Sequence, residues 1–98
     1  MTSQSEALAA QRGSGPGDQE LANIYEIYYY IQRRRRDPRS TEYRVRMHPP
    51  WRDASTFVRD IIDEIGYRPP LHVIERIDPK KGYEPGNVEW VQTGRKSI

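Results

Sequence analysis

Marking the apolar positions along the chain brings out two helical stripes and two short runs with strand character. Leu21, Ile24, Tyr28 and Ile31 recur at spacings of three, four and three, which is one face of a helix. Ile27 and Tyr25 widen that face. Asp18 is placed to cap the start, with Glu20 in the first turn. The helix is expected to run to Arg35 or Arg36, because Pro38 disfavours helical backbone at the residue before it. Phe57, Val58, Ile61, Ile62 and Ile65 form the second stripe. Asp53 or Ser55 can cap it, Gly66 stands where a left-handed C-terminal residue belongs, and Asp60, Asp63 and Glu64 make its solvent face.

The strand-like runs follow. Leu71 to Ile77 mixes β-branched with polar residues, and Val88 to Val91 repeats the pattern with Trp90 as its core residue. Between them, Asp78-Pro79-Lys80-Lys81-Gly82 and Pro85-Gly86-Asn87 have turn chemistry. Tyr43 to Met47 alternates apolar residues with arginine, which predicts a short strand with one basic and one buried face. His48-Pro49-Pro50-Trp51 turns the chain and supplies Trp51 as a core anchor. The pattern predicts a small α+β domain of two helices followed by a β-hairpin. It spans residues 18–98, behind a polar, Gly-containing tail at 1–17 that is too poor in apolar residues to order itself.

Composition narrows the classes of function. The chain has 98 residues and no cysteine, so disulfides and cysteine-ligated zinc are excluded. No apolar run is long enough to span a bilayer, and the N-terminus has no secretory pattern. No membrane partner is expected, and the cytoplasm is the expected location. The net charge is only +2 but unevenly spread. Between Ile24 and Arg52 lie eight arginines, namely Arg33, Arg34, Arg35, Arg36, Arg39, Arg44, Arg46 and Arg52, against three acids, Glu26, Asp37 and Glu42. Arginine forks suit phosphate oxygens, and a basic patch beside tyrosines is the footprint of a nucleic-acid surface. The plainer reading is a solvated helix end whose cations favour the C-terminal dipole.

One stretch combines charge with an apolar strand. In "IERIDPKKGYEPGNVEW", Glu75 and Arg76 interrupt the first strand and Asn87 precedes the second. This stretch resembles the "LDRID…GYEPGNxRW" signature of small HNH-like endonucleases common in phage genomes. "IYEIYYYIQRRRRDP" and "WRDASTFVRDIIDEIGYRPP" look like that family's first helix with its Arg-rich turn and its second helical segment. The resemblance covers roughly residues 22–92, in order. It implies a ββα-metal fold in which a hairpin presents an acidic metal ligand and a catalytic residue, and a following asparagine helps hold one magnesium or manganese ion. Carried onto this chain, Glu75 takes the acidic ligand position (usually aspartate in the family), Arg76 the histidine position, and Asn87 the asparagine position.

Glu75 and the Asn87 carboxamide are oxygen ligands suited to a hard cation. Arg76 stays protonated and cannot act as a general base, but it can hold phosphate or stabilise transition-state charge. His48 is then the candidate for activating water, since His72 falls three residues before Glu75 and points to the opposite strand face. For Arg76 to stand beside Glu75, a bulge or strong twist near Ile77 is required. The expected function is an HNH-like, phage-type DNA-binding protein, located in the host cytoplasm if phage-encoded. Two modes stay open: metal-dependent DNA nicking, or binding alone by a catalytically inactive member. DNA is the expected partner, and RNA or a host protein are the alternatives.

Overall fold

The computed structural model describes residues 17–93. Helix α1 (Asp18–Arg36) is followed by a single 3-10 turn (Pro49–Arg52) and helix α2 (Ala54–Ile65). An antiparallel hairpin of β1 (His72–Arg76) and β2 (Val88–Gln92) completes the order. This is the α+β layout that the hydrophobic pattern predicts. The N-terminal tail expected at 1–17 lies outside the described residues except for Gly17.

Gly17, not Asp18, precedes α1, and the Glu20 carboxylate accepts the Gly17 N–H at 3.2 Å. Asp18 and Glu20 in the first turn and Arg33 to Arg36 in the last both complement the helix dipole. The helix stops at Arg36, and extended backbone at Asp37 leads into Pro38. Its buried face is Ile24, Ile27, Tyr28 and Ile31. Asp53 caps α2 by accepting the Thr56 N–H at 3.0 Å, and Gly66, at φ +84°, closes it. Phe57, Val58 and Ile61 are its buried residues.

Trp51 is fully buried between the helices, edge-on to Phe57 with ring centroids 5.1 Å apart. Burying such a side chain contributes on the order of 2–3 kcal/mol. Its indole N–H donates to Asp60 at 2.9 Å. Asp60 therefore satisfies a core residue instead of only facing solvent. Tyr28 packs on Phe57 and donates its hydroxyl to the Arg52 carbonyl at 2.8 Å. Trp90, expected in the core, is half-buried with its indole N–H on the Gly66 carbonyl at 3.1 Å.

The strand expected at Tyr43 to Met47 does not form. Residues 41–44 are a turn, and Arg44 sits in the left-handed region at φ 61°. The backbone there bonds to the end of α1 instead: the Arg44 N–H donates to the Arg35 carbonyl at 2.9 Å, and Arg35 Nε donates to the Val45 carbonyl at 2.7 Å. Sidedness survives without the strand. Val45 and Met47 turn inward while Arg44 and Arg46 are exposed.

The segment is tied to the hairpin loop through a parallel bridge between Met47 and Tyr83. The Tyr83 N–H donates to the Arg46 carbonyl at 2.9 Å, and the His48 N–H donates to the Tyr83 carbonyl at 2.7 Å. Gly82 permits this approach, because a Cβ there would overlap the Arg46 carbonyl oxygen. Gly82→Ala should therefore lose about 1–3 kcal/mol in chemical denaturation, the scale of an overpacked site. An unchanged midpoint would mean that the two segments can separate without loss.

Candidate nucleic-acid interface

A carboxylate holds the hairpin loop against the arginine-rich segment. Arg76, at the end of β1, reaches the core side of the sheet and grips Glu42 with both arms, Nε to Oε1 at 3.0 Å and Nη2 to Oε2 at 3.1 Å. The Tyr83 hydroxyl donates to Glu42 Oε1 at 2.7 Å, and Thr41 donates to Oε2 at 3.2 Å. The remaining arm of Arg76, Nη1, donates to the carbonyls of Pro79 and Lys81 at 2.6 and 2.8 Å. The Glu42 and Arg76 side chains are only 9% and 11% exposed. Burial by itself would raise the Glu42 carboxyl, but the hydrogen bonds from Arg76 and Tyr83 and the Arg76 charge outweigh it and hold it below the ordinary value. Burial, then the bond to Glu42, pushes the Tyr83 hydroxyl up, so it stays a neutral donor.

The residues assigned to a metal site have separate surroundings. The β1–β2 ladder is regular from His72↔Gln92 to Arg76↔Val88. No bulge brings Arg76 round to Glu75, and the two side chains leave opposite faces of the strand. Glu75 opens onto a pocket shared with Tyr30, Arg34, Val73 and Val91. Asn87 is buried and braces the loop: its Oδ1 accepts the Asp78 N–H at 2.8 Å, and Nδ2 donates to the carbonyls of Asp78 and Gly82 at 3.2 and 2.8 Å. Both ends of the carboxamide thus bond within the turn, and Oδ1 accepts one hydrogen bond of the two it can take. Among the described residues, no group of three or more His, Asp or Glu side chains gathers.

The arginines divide. Arg35, Arg44, Arg46 and Arg52 meet around an open cleft of about 750 Å³, with His48 and Glu84 also in its wall. Arg35 is fixed by its bond to Val45, and burial lowers its pKa. The His48 ring stands edge-on to Trp51 at 5.5 Å. The Arg44 guanidinium lies 5.0 Å from the exposed Tyr43 ring. The other arginines point elsewhere. Arg34 bonds Thr41 at 3.1 Å and lies over Tyr30, Arg39 pairs with Asp37 at 3.3 Å, and Arg33 and Arg36 are exposed. Consecutive helix residues lie about 100° apart, so four arginines in a row cannot share one face.

Sequence reasoning missed Glu42, counted there only as one of three acids. Its partner Arg76 is 34 positions away, and no local pattern links the two. No known protein family, no curated protein and no solved structure matches this chain. Among the described residues, no helix is long and apolar enough to cross a membrane.

Two outcomes follow from this geometry. A carboxylate whose folded pKa is depressed stabilises fully above its unfolded value, here about the ordinary 4.5, and loses that contribution as pH falls through the lower folded value. Glu42→Gln should therefore destabilise by about 3 kcal/mol at neutral pH, because Arg76 is left uncompensated. It should also flatten the loss of stability below about pH 4.5 relative to the parent; identical acid limbs would show that the pair contributes nothing. Arg44→Gly relieves a left-handed backbone that costs a residue with a side chain about 1–2 kcal/mol. It should raise the thermal midpoint, and a lowered midpoint would show that the Arg44 side chain itself stabilises the fold.

Proposed function

We propose that this domain binds nucleic acid, DNA foremost, through the cleft between the end of α1 and the Arg44–Arg52 segment, as an HNH-like binding module. The observation that carries this reading is the convergence of Arg35, Arg44, Arg46 and Arg52 on one open cleft. Guanidinium groups gathered around one cleft repel, and phosphate oxygens relieve that repulsion while accepting paired hydrogen bonds. The resemblance to the HNH-like family gives the scaffold reading. The internal bonding of Asn87 and Arg76 favours binding over metal-dependent cleavage. Contacts to phosphate position a protein without reading sequence, so binding through this cleft is expected to be salt-sensitive and weakly sequence-selective.

Fluorescence anisotropy with a short labelled DNA duplex tests the reading across a salt series. Arg46→Gln/Arg52→Gln should weaken binding and reduce the log–log salt slope by about 0.9 for each phosphate no longer neutralised. Unchanged affinity and slope would contradict the proposal and favour a protein partner. A matched RNA duplex in the same assay separates the two nucleic acids. A plasmid incubated with magnesium or manganese should stay intact. Nicking that is lost with EDTA and in Glu75→Ala would make the protein an endonuclease.

A further inference from the structure

The segment from Arg44 to Arg46 borders two cavities. Besides the main cleft, the same residues wall a smaller groove of about 230 Å³, completed by the hairpin turn with Lys80 and Lys81. No acidic side chain lines that groove. Arg76, at the end of β1, also lines the groove but is neutralised by Glu42, so the net charge facing the groove comes from Arg44, Arg46, Lys80 and Lys81. All four are exposed. The turn's own hydrogen bonds use the main chain of both lysines: the Lys80 N–H donates to Asp78 Oδ1 at 2.9 Å, and the Lys81 carbonyl accepts from Arg76.

The two walls are also fixed to each other. Gly82 lies against the Arg46 carbonyl, and the Tyr83 N–H bonds the same oxygen at 2.9 Å. Arg76 clamps the turn carbonyls to Glu42. The lysines are therefore held at a set distance from Arg44 and Arg46, which lowers the ordering cost of binding one ligand with both. Arg44, with its left-handed backbone at φ 61°, sits on the crest between the cleft and the groove. Strained backbone of this kind persists where the surrounding structure over-determines it, and it clusters at functional sites.

We infer that the nucleic-acid backbone crosses this ridge, and that Lys80 and Lys81 bind phosphates on its far side as part of the same footprint. The inference rests on the cleft being a nucleic-acid site. It assigns the hairpin turn, which has the composition of an ordinary turn, to ligand binding.

The same duplex DNA and salt series tests it with Lys80→Gln/Lys81→Gln, alongside Arg46→Gln/Arg52→Gln. The lysine pair should weaken binding several-fold and flatten the salt slope by about 0.9 for each phosphate it had neutralised, with the thermal midpoint unchanged. Lys80→Arg/Lys81→Arg should keep both affinity and slope. If the arginine pair weakens binding and the lysine pair does not, the footprint stops at the cleft and the inference is overturned while the cleft stands. If neither pair changes affinity, both readings fall.

Discussion

The Glu42 carboxylate accepts four hydrogen bonds, two from Arg76 and one each from Tyr83 and Thr41, and the placement of the basic surface depends on it. Residues 37–48 contain no helix or strand of their own. Their later part is held by Arg35, which bonds the Val45 carbonyl, and by the bridge from Met47 to Tyr83. Glu42 joins this segment to β1 and to the hairpin turn at once. A buried pair of this kind is weak evidence for stability, since desolvation offsets much of its Coulomb energy. Its consequence here is positional. Removing one partner strands a charge, so the segment is held in one arrangement.

That arrangement explains how a chain with a net charge of only +2 presents a strongly basic surface. Three nearby acids are engaged in structural bonds, Glu42 with Arg76, Asp53 with the start of α2 and Asp60 with Trp51, which leaves Glu84 as the one acid in the wall of the cleft. Arg44, Arg46 and Arg52 are exposed around one cleft. Cations gathered around a cleft focus a field at short range, and salt screens it over about 10 Å at moderate ionic strength.

The helices were legible because their information is local. The stripe from Leu21 to Ile31, Pro38 after α1, and the Asp53 and Gly66 caps of α2 are all read within a few residues. The hairpin was legible for the same reason, from its turn residues. The segment from Tyr43 to Met47 misled because alternation specifies which side chains turn inward but not whether a partner strand exists. Its backbone found the end of α1 instead. The oddness of Glu75-Arg76 pointed to a real feature with a different partner: Arg76 bonds an acid 34 residues earlier, a pairing that no spacing encodes. Likewise Asn87 is polar and buried because it braces a turn, which from sequence looks the same as a ligand position.

The proposed nucleic-acid surface is built around Arg44 to Arg52. Amide chemical-shift mapping by NMR, with unlabelled duplex DNA titrated into the isotopically labelled full chain, tests it directly. The perturbed amides should cluster at residues 44–52, around the adjoining end of α1 and at the hairpin turn with Lys80 and Lys81, while those on the exposed face of α2 around Arg59 and Asp63 stay still. Perturbations centred on α2, or no perturbation at saturating DNA, would contradict it.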